Sequence, residues 1–427
     1  MTLSKRFSGV LESLFLSHKG SIKRYLVGYS GGLDSHVLLH LCSQNTRLPV
    51  RAVHIHHGLQ SEADQWSTHC AEVCAALQVP FKTIHVDASK RSGESPEESA
   101  RKARYQALTA ELESGDCLLT AHHQDDQSET VLLQLFRGAG PAGLAAMPMI
   151  RELKQGVHAR PMLGFSRAEI ECYAKENALI WIDDPSNTDT DFDRNLLRQR
   201  IIPDIRQRWP GLGESLSKVA LQQQDALEIT ETLAALDLST VVMQQHNVIS
   251  INALGKLSRA RQLNVLRLWI HRCAEDAPTA HVLHELTDSL IPAADDACPE
   301  VCWGSSEIRR FQNGVYCLKK IEHDASKVFD WNPRDNLMLS NLGIELTAQS
   351  LDGQGVKPEL IQQRLKVAFR QGGEKIKPVG RKGTHSLKKL MQEAGIPPWQ
   401  RNRIPLIYFN DELVCVFGYW VADGYAN

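Results

Sequence analysis

Two periodicities alternate through the first half of the chain. Short apolar runs suited to buried strands stand at residues 22–29, 50–56, 81–86 and 117–121. Between and after them, apolar residues recur every three or four positions and predict helices over 34–42, 63–77, 97–112 and 126–136. Ser95-Pro96 opens the third helix with a capping residue followed by a first-turn proline. Strands alternating with helices of this length imply βαβ units and a parallel sheet. The fold class is therefore α/β, with ligands expected beyond the carboxyl ends of the strands. After Trp209 the pattern becomes helical, over 212–238 and 260–274, with few strand signals. From about residue 328, short β-like runs appear between Gly, Asn and Asp, at 337–339, 343–346 and 413–420. Three domains fit this texture: a catalytic α/β domain over 1–213, a helical domain over 214–325 and a small mixed α/β domain over 326–427.

Length and composition agree with that division. A chain of 427 residues suits two or three domains, and 42% hydrophobic with 23% charged residues is ordinary for a globular protein with real cores. No apolar run approaches the roughly 18 residues of a membrane span. The N-terminal apolar stretch is broken by Glu12 and Ser13, which argues against a cleaved signal peptide. Ten scattered cysteines without a C-x-x-C pair fit a reducing cytoplasm better than a disulfide framework.

The net charge of −2 conceals an asymmetry. Residues 357–403 carry 12 Lys/Arg against 3 Asp/Glu, a surplus of nine that leaves −11 for the rest of the chain. A basic C-terminal module suits a polyanion, although a solvated basic face would look the same. Within it Trp399 lies among Lys388, Lys389, Arg401 and Arg403, so it can either stack on a base or fill a small core.

The most informative segment is Ser30-Gly31-Gly32-Leu33-Asp34-Ser35, which follows a strand and opens a helix. Glycines let backbone N–H groups approach an anion, the helix start adds partial positive charge, and the two serines add hydroxyl donors. Asp34 would repel phosphate, so it suits either a Mg²⁺ ion or the capping of loop N–H groups. The Walker pattern G-x-x-x-x-G-K-[ST] is absent. Gly138, Gly140 and Gly143 formally match G-x-G-x-x-G, but they follow a helix and read as a loop. His54, His56 and His57 end the second strand, and nucleotide, RNA or structural contacts suit them better than a zinc site.

The SGGxDS loop after the first strand resembles the PP-loop of ATP pyrophosphatases, which cleave ATP to AMP and pyrophosphate. The wider pattern is similar to the tRNA(Ile)-lysidine synthetase family over nearly the whole chain. Carrying the likeness are 54–59 (HIHHGL), 98–105 with Arg101 and Arg104, and 121–130 (AHHQDDQSET). Further matches are 181–187 (WIDDPSN), Arg194-Asn195, 370–374 (RQGGE) and 396–401. The resemblance implies ATP with Mg²⁺, L-lysine and an isoleucine tRNA with a CAU anticodon as reactants. The C2 oxygen of the wobble cytidine would be adenylated and then displaced by the lysine ε-amine. It also implies that the C-terminal appendages hold the tRNA body, while a homodimer is left open.

That chemistry needs a pyrophosphate cradle, charge neutralisation at the α-phosphate, an amine site and a pocket for a flipped base. Residues 30–35 would bind ATP, with Asp34 near Mg²⁺. Arg101 and Arg104 share a helix face and can stabilise the α-phosphate or grip RNA, and only the resemblance favours Arg104 as catalytic. Asp126 and Glu129 also share a face, and two carboxylates suit lysine. His122 is a further candidate base or substrate contact. For the tRNA we expect Arg101, Arg194, Arg370, Lys388, Lys389 and Arg401. The bland readings are a helix start decorated with acids and a solvated surface. Three rival functions remain, one of which, glutamine-dependent amidation of a nucleotide, would need an amidotransferase segment that is not evident in the sequence. A tRNA 2-thiolation enzyme of the same superfamily would want paired cysteines, and a non-catalytic tRNA-binding protein would not keep the loop intact.

Overall fold

The first strand, Arg24–Gly28 (β1), is buried on both faces, as a central strand of a covered parallel sheet must be. The computed structural model describes residues 2–18, 20–58, 63–86, 96–183, 190–294, 297–348 and 355–427, with only the backbone for 96–98. Leu59, Ser95 and residues 184–187 of the motifs above lie outside the described residues. The chain divides into two compact units, 1–229 and 230–427.

In the first unit, Val50–His56 (β2), Phe81–His85 (β3), Asp116–Leu119 (β4), Ile150–Leu153 (β5) and Gly156–Ala159 (β6) join β1 in one sheet. The order is β3-β2-β1-β4-β6-β5, parallel except for the β5–β6 hairpin at one edge. Strand order reverses between β2 and β4 around β1, and a crevice forms at such a point beyond the carboxyl ends. Helices Leu3–Ser17 (α1), Leu33–Asn45 (α2), Ala63–Ala76 (α3), Pro96–Ala110 (α4), Gln124–Phe136 (α5), Pro141–Leu144 (α6) and Arg167–Glu176 (α7) accompany the sheet. The apolar N-terminal stretch is the inward face of α1, whose Phe7, Leu11 and Leu14 join the main core. Gly138 and Gly140 lie in the loop after α5, as expected, whereas Gly143 falls within the short helix α6. The unit continues through Asp193–Leu196 (α8), a π-helical turn at Leu197–Ile201 and Ile202–Arg208 (α9).

A 30-residue helix, Leu212–Val241 (α10), runs across the division. The second unit begins with Val248–Ser250 (β7), Ile251–Leu254 (α11), Arg259–Cys273 (α12) and Ala280–Glu285 (α13). Glu300–Trp303 (β8), Ser306–Phe311 (β9) and Gly314–Lys319 (β10) then complete an antiparallel sheet of order β7-β10-β9-β8. Its core is built on Trp269, Leu266, Leu286 and Ile308. The middle region thus contains a four-stranded sheet besides its helices. Beyond it lies a five-stranded antiparallel sheet that includes Leu365–Ala368, Leu406–Phe409 and Glu412–Val416, with its own cores. All ten cysteines are free thiols. Among the described residues, no helix is long and apolar enough to cross a membrane.

Candidate active site

The loop between β1 and α2 is held by its own hydroxyls. Ser35 Oγ donates to the Gly32 carbonyl at 3.0 Å and accepts from the Ser30 N–H at 3.2 Å, while the Ser30 and Ser35 hydroxyls lie 3.0 Å apart. Gly31 has φ +86°, and a Cβ there would come within 2.9 Å of both Cys70 Sγ and Ile182 Cδ1. Glycine is required on both counts. The Gly31 carbonyl accepts from the Ile182 N–H at 3.0 Å, so a distant segment straps the loop. The N-terminus of α2 then points its unpaired N–H groups and positive dipole end toward the crevice.

Asp34, in the first turn of α2, accepts from Arg167 Nη1 at 2.6 and 2.7 Å and lies 3.7 Å from His123 Nε2. Burial works to raise its pKa, but His123, Arg167 and Arg198 outweigh burial and hold it below the usual carboxylate range. Its hard oxygens match the preference of Mg²⁺, although a guanidinium already balances the charge. His123 caps α5, its Nδ1 accepting from the Asp125 N–H at 3.2 Å, while Asp126 accepts from the His123 N–H at 3.0 Å. Burial lowers the His123 pKa, yet Asp34, Asp126 and Asp125 together raise it. Asp34, His123 and Asp126 therefore form one chain from the phosphate loop to the acidic motif.

The acidic pair itself is occupied. Glu129 is fully buried and accepts from Arg194 Nε at 2.9 Å and Arg198 Nε at 2.6 Å, and Arg198 Nη2 reaches Asp126 at 3.0 Å. Two acids on one helix face thus bind two arginines spaced i, i+4 across the π-helical turn. Arg194, expected on RNA, is engaged with Glu129 and Thr130.

The phosphate loop, Asp34, His123, Arg167 and Arg198 border a cleft of about 1010 Å³ at the carboxyl edge of the sheet, within the first unit. Its wall includes Ser30, Asp34, His54, Arg104, His122 and Arg198. Gly31, Arg101, Asp126 and Glu129 are not on that wall. Arg101 instead lies over the Tyr105 ring, 5.3 Å from its centroid. His54 Nδ1 meets the Tyr29 carbonyl at 3.0 Å and His56 Nε2 meets Asp64 at 3.1 Å, contacts that need no metal. Among the described residues, the one cluster with metal-ligand spacing is Glu300, Cys302 and Glu307, and Arg309 already pairs with both acids.

In the second unit, Lys388 and Lys389 are exposed on helix Leu387–Glu393. Arg370 reaches toward Glu374 and Asn402, and Arg401 Nε donates to the Ile396 carbonyl at 2.8 Å. Trp399 is buried, edge-on to Phe311 and Tyr316 with Arg309 over its ring, so it fills a core.

Sequence reasoning missed Arg167, Arg198 and the structural part of His123. Arg167 was findable, because Ser166-x-x-Glu169 is a capping box that places residue 167 at a helix start. Nothing local signals Arg198 except its spacing from Arg194.

Comparison with known proteins follows the same outline. A PP-loop domain model matches residues 4–205, a TilS substrate binding domain model 249–316 and a TilS substrate C-terminal domain model 365–427. A tRNA(Ile)-lysidine synthase of Coxiella burnetii is 40% identical over 96% of this chain and 92% of its own length. One from Methylococcus capsulatus is 40% identical over 96% and 94%, and one from Proteus mirabilis 38% identical over 94% and 92%.

Proposed function

The chain belongs to the tRNA(Ile)-lysidine synthase family, and on that premise we propose that it ligates lysine to the wobble cytidine of isoleucine tRNA with a CAU anticodon. ATP adenylates the cytidine C2 oxygen and releases pyrophosphate, and the lysine ε-amine then displaces AMP. The observation that carries this reading is the shared cleft. The phosphate loop of α2 and the acidic start of α5 meet through Asp34, His123 and Asp126 at one end of one sheet.

Each residue set has a part. Residues Ser30, Gly31, Gly32, Leu33, Asp34 and Ser35 cradle the ATP phosphates. Asp34 is the residue that would hold Mg²⁺, which supplies charge neutralisation when bound with ATP. Arg104 faces the α-phosphate. Asp126 and Glu129 are the acids expected to take the lysine ammonium; both now hold Arg198 and lie off the cleft wall, so lysine would reach them only by displacing that arginine. The exposed Lys388 and Lys389, with Arg370 and Arg401, track the tRNA backbone, as does Arg101. We divide the chain into a catalytic domain over 1–213 and tRNA-binding domains over 214–325 and 326–427, which the separate cores of the second unit support. The ten free thiols favour the cytoplasm.

The decisive experiment mixes the protein with ATP, labelled lysine and total tRNA. We expect label in a single tRNA, released on digestion as a lysine-bearing cytidine, with pyrophosphate formed only when tRNA is present. Sulfur incorporation without lysine would overturn the reading in favour of thiolation.

A further inference from the structure

From the cleft wall a line of four side chains, which the proposed reaction does not use, runs inward through His122, Thr120, His158 and Arg160. Arg160, at the end of β6, is almost fully buried. Its direct partners are neutral: Nη1 donates to the Pro148 carbonyl at 2.7 Å, Nη2 meets His158 Nδ1 at 3.4 Å, and the Tyr105 phenol is a third neighbour, while Arg101 and Arg151 act on it from further off as like charges. His158 is also buried, and its Nε2 lies 2.8 Å from Thr120 Oγ1. Thr120 Oγ1 lies 2.9 Å from Nδ1 of His122, which lines the cleft.

The polarity of this line follows from donor counts together with the partners available to each group. An arginine has five N–H donors and no acceptor, so the His158 Nδ1 facing it must accept. A neutral His158 then carries its proton on Nε2 and donates it to Thr120 Oγ1. The threonine oxygen could accept a second time, but among the described residues His122 Nδ1 is the one partner able to take the hydroxyl hydrogen, so Thr120 donates it there. His122 is left with its own proton on Nε2, the nitrogen turned away from Thr120. The reversed line would set a His158 N–H against an arginine N–H, two donors without an acceptor.

We propose that Arg160, His158 and Thr120 are positioning residues whose directional relay fixes His122 as the Nε2–H tautomer. His122 thereby serves the ligation as a hydrogen-bond donor to a negatively charged oxygen and not as a proton acceptor. The proposal rests on the lysidine-forming reading for the identity of that oxygen, carried by the α-phosphoryl group or the cytidine C2 position. A preorganised donor aimed at developing charge in a closed site stabilises a transition state without reorganisation. The surroundings keep the ring neutral. Burial lowers the His122 pKa well below its ordinary value, Asp126 opposes this, and Arg160, Arg101 and Arg104 reinforce it. Burial likewise brings His158 down to about 3, with Arg160, Arg151 and Arg101 adding to the effect.

The test uses the full chain labelled with nitrogen-15 histidine, with the His122 signals identified by their loss in His122→Gln. Near neutral pH, long-range proton–nitrogen correlations should show a protonated Nε2 and an unprotonated Nδ1 at His122. Thr120→Val keeps the shape and removes the hydroxyl. It should change that pattern and lower kcat for tRNA-dependent pyrophosphate release by about 10- to 100-fold, with KM for ATP held within about twofold. Thr120→Ser should restore both. A protonated Nδ1 in the wild type would overturn the relay, and so would a Thr120→Val enzyme with unchanged pattern and kcat. Failure of Thr120→Ser to rescue would overturn it as well. The wild-type spectrum needs neither substrate nor variant, so it decides the relay even where a variant fails to fold. An error in the assigned reaction shows separately, in the labelled-lysine experiment.

Discussion

Gly31 shows how much can rest on one missing methyl group. Its positive φ costs a non-glycine residue of order 1–3 kcal/mol, and here Cys70 and Ile182 also occupy the space a Cβ would need. We expect Gly31→Ala to lower the melting temperature and to lose pyrophosphate release, because the strained φ and the crowding against the Cys70 and Ile182 side chains would distort the loop. A variant with wild-type melting temperature and turnover would contradict this account. Glu129 is the complementary case, a fully buried carboxylate between two guanidinium groups. Its removal leaves Arg194 without its carboxylate and Arg198 with Asp126 alone, and breaking a buried pair costs on the order of 3–5 kcal/mol. Urea denaturation of Glu129→Ala should show a loss of that size. A loss below about 1 kcal/mol would mean that the arginines find solvent instead.

At the scale of elements, the central strands and helices were legible because burial imposes simple rules on them. The run at 50–56 is the strand Val50–His56, and 337–339 is the strand Leu337–Leu339. The β5–β6 hairpin escaped notice because each strand has four residues and β5 alternates around Arg151 and Glu152 at a sheet edge. The sheet of the middle region escaped for another reason. Strand β9, Ser-Glu-Ile-Arg-Arg-Phe, buries Glu307 and Arg310, which no hydropathy rule places inside. For the site, the loop and the motif at 121–130 were readable, whereas the arginines that neutralise them come from distant helices. Packing between α2 and α3 has a consequence that can be titrated. His36 of α2 is buried and faces His69, and burial brings its pKa down to about 4. The folded protein keeps it neutral while the unfolded chain takes up a proton near its ordinary value of 6.5. Stability should therefore be level above about pH 6.5 and fall as the pH drops toward about 4. Replacing His36 with Asn should make that slope shallower in urea denaturation series, while buried His122 and His158 keep their share of it. An unchanged slope would show that other groups cause it.

At the scale of the whole molecule, charge is divided by region. The cleft holds its acids and arginines in pairs, while the surplus of basic residues lies in 357–403. Among the described residues neither exposed Lys388 nor Lys389 is held in an ion pair, and Lys389 acts on Glu393 only from a distance, so their charge is available to phosphate. Changing both to Glu should weaken tRNA binding at low salt and flatten its salt dependence, because fewer counterions are released on binding. Turnover at saturating tRNA should stay near wild type. An unaltered salt slope would remove these lysines from the RNA contact.

The peptide hydrogen bond between Ile182 and Gly31 carries a lesson for anyone dissecting the chain. A fragment ending before Trp181 would retain every letter of the phosphate-binding hexapeptide and still lack the clasp that bends it. The same holds for grafting those six residues onto another scaffold, where the curvature they borrow here would have to be built anew.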